Sequence, residues 1–445
     1  MNEKLASSAP KLKKTLGVAF GVSMIIGGTI GAGILRTPGS VAALLPNEVL
    51  ILSCWLITGL YILLSASSYA ELTTMLPKVG GAFNYIQRAF GHYTGFVTGW
   101  FDFVQNAIAP AFFCVVLGEY TAMLFPQLIG HSTLLAAGFL TLFTLINLPG
   151  VKSGSTTQQI TSFLKVLLFL VLITGCFLVK PAARQALPVS SMPIFNGAIV
   201  VAFFKAMQLI LSTYDGWMSA SFFAEENDDP GKSIPRSYFI GASAIIVLYI
   251  LVNAAILYIL PVSTVAGAPL AASAAAKIAF GSWGGMFINI VAIFTIISIL
   301  NAYMMIPPRI LFGISREGFF IKQGTYLNKG GTPYYSMLVC YGLSLLLILN
   351  NSYEQLFGLG AVMLTVVTSF SFAALLWLRK KEPDLPRPYK AWGYPYMTIL
   401  ALLVTLVLLV GFMINDVRSF LIVASLFIVS WPFYKLIIRL NGVKG

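Results

Sequence analysis

Two short stretches of this chain combine glycines with polar side chains inside long apolar runs. Residues 27–33 contain four glycines in seven positions, and residues 212–217 place the carboxylate of Asp215 beside Gly216. Glycine destabilises a helix by about 1 kcal/mol relative to alanine. A helix that unwinds inside a bilayer exposes main-chain groups that must line a cavity or contact a ligand. We therefore expect both stretches to be unwound and to expose such groups.

The exposed main-chain groups would carry partial charge of both signs. The amides that start the second half of a broken helix suit a carboxylate, and the carbonyls that end its first half suit an ammonium group. A solute with both groups is an α-amino acid, which we rank first. The alternative is that the glycines only let neighbouring helices approach closely. The residues assigned to substrate binding in the two stretches are Thr29, Gly31, Ala32, Gly33, Ser212, Thr213, Tyr214, Asp215 and Gly216.

Polar residues elsewhere in the apolar runs form a second group of candidates. Asp102, Gln105 and Asn106 are spaced i, i+3, i+4 and share one helical face, which we expect to point into the protein. We assign the reading of the substrate side chain to Gln105 and Asn106, and gating to Asp102 and Trp217. The alternative for the three residues of this face is hydrogen bonding between helices. Lys165, an ionisable residue at membrane depth, is assigned to coupling, with snorkelling to the interface as its alternative.

Three further charged residues, Arg36, Glu119 and Lys205, lie in the outer halves of their apolar runs. They either form a charge network over an outer vestibule or face solvent, and the sequence does not separate these two possibilities.

The elements that must position these residues are membrane-spanning helices. Of 445 residues, 58% are hydrophobic and only 10% are charged, with a mean hydropathy of +0.86, whereas soluble domains carry about 25% charged residues. A span needs roughly 20 apolar residues. Twelve apolar runs suited to spanning fall near residues 15–45, 49–76, 92–125, 132–149, 155–179, 198–225, 237–261, 283–313, 333–350, 356–379, 394–415 and 417–438. The sequence therefore predicts an all-α polytopic membrane protein with its first and sixth helices unwound.

The positive charges indicate how the spans are oriented. If both termini are cytoplasmic, 21 Lys and Arg residues fall on the cytoplasmic side and 5 on the outer side, as the positive-inside rule describes. The net charge of +13 therefore reflects topology and not nucleic-acid binding. We expect residues 1–14 and 441–445 to be cytoplasmic tails of a protein in the plasma membrane.

No pattern in the sequence indicates an enzyme, a metal site or a cofactor. The chain contains no Walker A motif and no nucleophile elbow, and its His, Cys and Asp residues do not have metal-ligand spacing. The four cysteines lie inside apolar runs and suggest no disulfide framework. A membrane enzyme or a channel is therefore the least supported class.

Several motifs together resemble the amino acid–polyamine–organocation (APC) permeases, and most closely bacterial members of their L-type amino acid transporter branch. The stretch GGTIGAGIL at residues 27–35 is similar to the break in their first helix. Further similarities, in family order between residues 15 and 396, lie at Tyr69, Glu71, 80–85, 147–152, Gln158, Lys165, 214–217, 225–226, 234–236, 308–309, 315–319, 386–390 and 393–395.

The resemblance implies a LeuT-type fold and transport by alternating access. Residues 15–180 and 198–379 would form two inverted repeats of five spans each, and residues 394–440 two further helices. The resemblance also implies that Ala32 and Gly33 correspond to the family positions that bind the substrate carboxylate.

In the family, main-chain oxygens at three positions hold the substrate amino group, and these positions correspond to Thr29, Ser212 and Asp215. This sequence departs from the family pattern at two positions. The family often has serine where Ala32 stands, so one hydroxyl contact to the carboxylate is missing. It commonly has a bulky aromatic where Ser212 stands, so the pocket is roomier or its gate differs.

Lys165 matches a lysine that occupies the place of sodium in sodium-coupled relatives. The expected function is therefore a sodium-independent secondary transporter of amino acids, either an exchanger or a proton-coupled symporter. The alternative on the same fold is a carrier of cationic amino acids or polyamines, because Asp102 and Asp215 could hold a second positive charge. Which amino acid is carried, and in which direction, stays open.

The expected partners are an amino acid, the lipid bilayer and, for a symporter, protons. L-type relatives in animals often pair with a glycoprotein through a cysteine. No cysteine of this chain lies in a predicted outer loop, so no obligatory partner subunit is expected.

Overall fold

The computed structural model describes residues 12–180, 197–350 and 353–441. The larger parts of both predicted tails, and the outer loop at 181–196, lie outside these residues. Within them the chain forms the α-helices α1 Val18–Thr29, α2 Gly33–Leu44, α3 Glu48–Met75, α4 Phe83–Phe90, α5 His92–Leu124, α6 Ser132–Asn147, α7 Val151–Leu178, α8 Gly197–Thr213, α9 Pro230–Ile259, α10 Val262–Val265, α11 Ala271–Phe280, α12 Gly284–Arg316, α13 Tyr334–Asn350, α14 Tyr353–Lys381, α15 Tyr396–Asn415 and α16 Val417–Asn441. A 3₁₀ helix, Ser219–Glu226, follows α8.

The helices confirm the predicted fold class, an all-helical membrane protein. Among the described residues, eight segments are long and apolar enough to cross a bilayer, and α1 with α2, bent by 51° at their break, make a ninth if the pair is one span. Three shorter apolar helices, α6, α8 and α13, fall where the remaining spans were expected. The number of twelve spans, and the division into repeats at 15–180 and 198–379, stay predictions.

The helices form because an apolar run in hydrocarbon must satisfy its main-chain groups within itself. A side chain fixes where α3 begins. Asn47 accepts a hydrogen bond from the Leu50 amide at 2.8 Å and so caps the first turn of the helix. Around the first break, α1 packs against α7, α9 and α12, and α2 packs against α8. The segments at the two breaks are mostly buried within the bundle.

Ion pairs tie together the end of the bundle where α1 begins. A buried pair joins Arg309 to Glu226, with the two side chains 2% and 0% exposed. Glu71 accepts hydrogen bonds from Arg379 at 2.5 and 2.7 Å, and from the Ala391 amide at 2.7 Å. These contacts fix the segment between α14 and α15 against α3. By the predicted orientation, this is the cytoplasmic end.

The buried pair gives a test of this end of the fold. Replacing Glu226 by alanine leaves the Arg309 guanidinium buried without its carboxylate, which costs on the order of 3–5 kcal/mol. We expect the thermal unfolding midpoint of the purified protein in detergent to fall clearly. The matched control is Lys232→Ala, which removes an exposed pair with Asp229 (3.5 Å; 74% and 52% exposed) worth at most about 1 kcal/mol. Equal midpoints for the two variants would contradict the assignment.

Candidate functional site

The first and sixth spans are both interrupted, as the sequence predicts. Between α1 and α2, residues 30–32 are not helical. The α8 helix ends at Thr213, residues 214–218 form a turn, and the chain continues as a 3₁₀ helix from Ser219. Each interruption follows a helix end and exposes main-chain groups inside the bundle.

The two interruptions touch through their backbones. Gly216 has φ +94°, and a Cβ atom built on it would lie 2.4 Å from the Gly28 carbonyl oxygen and 3.1 Å from the Thr29 amide nitrogen. Both the dihedral angle and the close approach exclude a side chain at this position. The glycine of the second break is therefore required for contact with the first.

A tyrosine that the sequence analysis missed bridges the two breaks. The Tyr249 hydroxyl of α9 lies 3.2 Å from the Thr29 carbonyl oxygen and 3.0 Å from the Thr213 carbonyl oxygen. It thus donates to the carbonyl that ends α1 or to the one that ends α8. The sequence feature that could have identified this residue is a single phenol in the otherwise apolar run 244–252.

Lys165 lies at the first break. Its Nζ atom donates to the carbonyl oxygens of Gly27 at 2.9 Å and Ile30 at 2.6 Å, and the side chain is fully buried. No carboxylate pairs with it in the part of the chain that the structure describes. The ammonium group therefore supplies donors to two carbonyls that the break leaves without helical partners.

Asp102, Gln105 and Asn106 form one hydrogen-bonded group on α5. Asp102 Oδ1 accepts from Gln105 Nε2 at 3.1 Å and from Asn106 Nδ2 at 3.0 Å. Asp102 is 1% exposed, and its Oδ2 atom has no hydrogen-bond partner among the described residues. The three polar side chains thus share one face, as their spacing predicts, and that face points into the protein.

A cavity of about 220 Å³ lies beside the second break. The predicted residues that line it are Gln105, Ser212, Asp215 and Trp217. A neighbouring void of about 10 Å³, close to the size that admits one water molecule, is lined by Asn106 and Gly216 as well as Gln105 and Asp215. The structure therefore brings six of the predicted residues of spans 3 and 6 together.

The other predicted binding residues line neither cavity. They are Thr29, Gly31, Ala32, Gly33, Thr213 and Tyr214. The Tyr214 ring packs against Trp55 and Tyr249, with ring centroids 6.2 and 4.9 Å apart. Ala32 and Gly33 are half-buried.

Some main-chain groups at the two breaks have no partner within the described ranges. These are the amides of Gly31 and Ala32 and the carbonyls of Ser212 and Asp215. The Thr29 carbonyl, by contrast, already faces the Tyr249 hydroxyl. Because a carbonyl oxygen has two lone pairs, it can accept a second donor. The breaks thus offer unpaired donors on one span and unpaired acceptors on the other.

Three charged residues lie apart from this region. Arg36, Glu119 and Lys205 are all exposed, and no ion pair joins them to one another in the described residues. A charge network among them is therefore not seen in the described part of the chain, and that they face solvent stays a prediction.

Residues of later spans complete the cavity wall. Tyr303 of α12 lines both cavities, and Thr365 and Thr368 of α14 line the larger one. The threonines are spaced i, i+3, which was a signal for one helical face, but hydroxyls are common in apolar helices and do not by themselves indicate a site.

The interrupted helices and the cavity beside them define a class, that of polytopic helical membrane transporters. A sequence model of the amino acid permease family matches residues 17–437, and the chain belongs to this family, within the APC superfamily. Its members are membrane transporters, so the prediction that the chain is not an enzyme is confirmed.

Individual relatives are similar over nearly the whole chain. The serine/threonine exchanger SteT of Bacillus subtilis (strain 168) is 28% identical over 417 residues, covering 92% of this chain and 93% of that protein. The b(0,+)-type amino acid transporter 1 of Mus musculus is 27% identical over 441 residues (94% and 86%). The large neutral amino acids transporter small subunit 2 of Homo sapiens is 28% identical over 400 residues (85% and 72%).

The bridging tyrosine yields a prediction about the site. Tyr249→Phe removes the hydroxyl between Thr29 and Thr213 without changing the ring, so we expect amino acid counterflow in proteoliposomes to fall about tenfold, the effect of roughly one lost hydrogen bond to a buried group. The control is Tyr258→Phe on the same helix, whose ring packs against Phe177. Monodisperse elution of both variants in detergent verifies folding, and unchanged counterflow in Tyr249→Phe would contradict the bridge.

Proposed function

We propose that this protein is a sodium-independent secondary transporter of amino acids that works by alternating access, as an exchanger or a proton-coupled symporter. The observation that carries the proposal is the contact of two interrupted spans that leave amides unpaired on one and carbonyls unpaired on the other. Such an arrangement suits the carboxylate and the ammonium group of one amino acid. The relatives named as amino acid exchangers and transporters support the same class of substrate.

Within the proposed site, the amides of Ala32 and Gly33, with Gly31 beside them, bind the carboxylate. The oxygens of Ser212 and Asp215, with that of Thr29, hold the ammonium group. Gln105 and Asn106 read the side chain, and Asp102 and Trp217 act in gating. Thr213, Tyr214 and Gly216 complete the second break.

Asp215 favours a second candidate, a carrier of cationic amino acids or polyamines. Its carboxylate accepts from the Gly216 amide at 2.7 Å and is the one charged side chain among the described residues that line the larger cavity. Asp102, which the sequence also offered as a holder of positive charge, lines neither cavity. A second cationic group would therefore have to bind at Asp215.

We place the protein in the plasma membrane with both termini in the cytoplasm, on the basis of its charge asymmetry. The name of one relative describes it as a small subunit. Because the four cysteines of this chain are buried, none is available to a disulfide-linked partner, and we propose that the chain works without an obligatory second subunit.

The experiment that tests the proposed function is counterflow of labelled neutral and cationic amino acids in proteoliposomes at two pH values. We expect wild-type exchange of neutral amino acids and its loss in Gly33→Leu, because a Cβ atom at this position already lies 3.3 Å from Thr213 and a larger side chain would cover the amides. The control is Gly138→Leu, where a Cβ atom meets nothing within 4 Å. Uptake of cationic substrates alone would select the second candidate, and retained exchange in Gly33→Leu would refute the site.

The position of Lys165 yields a prediction about ions. Its ammonium group already contacts the Gly27 and Ile30 carbonyls, so a sodium ion has no role to fill at this end of α1. Replacing sodium by choline on both sides of the vesicle membrane should leave amino acid uptake unchanged. A strong requirement for sodium would remove this part of the proposal while leaving amino acid transport intact.

A further inference from the structure

The larger cavity extends away from the first break. Within the described residues, no part of α1, α2 or the segment between them lines it. From Ser212 and Asp215 it reaches across to helices that the sequence analysis did not connect with the substrate. Lining residues on these helices include Tyr61 of α3, Leu364 of α14, and Thr405, Leu408 and Phe412 of α15.

We propose that this part of the cavity wall, which we call the α15 subsite and define by those five residues, binds the substrate side chain and accepts large, mainly apolar ones. The inference rests on the proposed function, since it assumes an amino acid held at the second break. It adds two points to the proposed function. One is that α15, a helix outside the two predicted repeats, contributes a wall of the site, and the other is the chemical class of side chain that this wall admits.

The position of the cavity supports the subsite. Ser212 and Asp215, whose carbonyls have no partner among the described residues, line the same cavity as Leu408. A substrate with its ammonium group on these oxygens is therefore adjacent to a space that leads to α15. The volume of about 220 Å³ is many times the roughly 10–15 Å³ that admits one water molecule on the same measure, and it is more room than a methyl or hydroxymethyl side chain fills.

Small residues keep this space open. Ser212 on α8, and Gly360 and Ala361 on α14, line the cavity. A Cβ atom on Gly360 would lie 3.4 Å from the Gln105 Cβ atom, so a larger residue there would narrow the passage beside Gln105. The Ser212 hydroxyl donates to the Leu209 carbonyl at 2.7 Å and so turns back to its own helix.

The chemistry of the wall selects the class of side chain. Leu364, Leu408 and Phe412 present apolar surface, and burying apolar area gains about 25 cal/mol per Å². The hydroxyl groups of Tyr61 and Thr405, the two in the subsite, already have hydrogen-bond partners. Tyr61 Oη lies 3.3 Å from Thr405 Oγ1, and Thr405 Oγ1 donates to the Ala401 carbonyl at 2.6 Å. No charged residue belongs to the subsite, so a charged group there would be desolvated without a counter-ion.

The test changes the volume of the subsite in both directions at one residue. Leu408→Trp fills the space and should lower counterflow of phenylalanine relative to alanine by about tenfold, the discrimination that a small change in an apolar pocket provides. Leu408→Ala enlarges the space and should shift the ratio the opposite way. The control is Leu406→Trp on the same helix, where Leu406 is 40% exposed and lines neither cavity.

The outcomes separate the subsite from the proposed function. The subsite would be overturned if Leu408→Trp lowered counterflow of phenylalanine and alanine equally and Leu408→Ala left their ratio unchanged. It would also be overturned if Leu406→Trp shifted that ratio as much as Leu408→Trp does. Binding is measured in parallel from the shift that each amino acid causes in the thermal unfolding midpoint. A wild-type protein that binds both amino acids but exchanges neither would refute transport, and the binding ratio of the Leu408 variants would then decide the subsite.

Discussion

The structure depends on the contact between the main chains of Gly28 and Gly216. Breaking a helix inside a bilayer frees amides and carbonyls that hydrocarbon cannot satisfy, at several kcal/mol for each group. The protein satisfies most of them from neighbouring spans: Lys165 contacts the carbonyls of residues 27 and 30, and Tyr249 those of residues 29 and 213. The groups that remain unpaired in the described residues include the Gly31 and Ala32 amides at the first break and the Ser212 and Asp215 carbonyls at the second, and the proposed site rests on these four.

The two sides of the first break are held by different kinds of contact. At the end where α1 begins, guanidinium and carboxylate groups join α12 to the 3₁₀ helix Ser219–Glu226 and α14 to α3, and buried pairs of this kind are costly to separate. Beyond the break, the Thr37 hydroxyl of α2 lies 2.8 Å from the Thr213 hydroxyl at the end of α8, and the Gly267 amide donates to the Gly39 carbonyl at 2.9 Å. The end where α1 begins is therefore held by ionic contacts, whereas these contacts of α2 are hydrogen bonds between uncharged groups.

The parts of this picture that were predictable from sequence follow from rules that hold for any bilayer. The four glycines at 27–33 and the Asp215–Gly216 pair indicated the breaks, because glycine weakens a helix and freed main-chain groups inside a bilayer must line a cavity or meet a ligand. The spacing of Asp102, Gln105 and Asn106 identified a shared face. The bridge through Tyr249 and the wall from α15 were not predictable, because each span is apolar nearly all round its circumference. Only packing against neighbours decides which side of such a helix faces a cavity, and no single-sequence pattern records that choice.

In the proposed site, recognition of the substrate divides between two kinds of group. Main-chain dipoles at the breaks are the same whatever the side chains do, so they suit what all amino acids share, the carboxylate and the ammonium group. The cavity wall includes side chains on α3, α14 and α15, which can change without disturbing the breaks. On this division, a substitution at the breaks affects every substrate alike, whereas one in the wall alters the choice among substrates. The names of two relatives state different substrates, serine and threonine for one and large neutral amino acids for the other, and changes in such a wall would produce a difference of this kind.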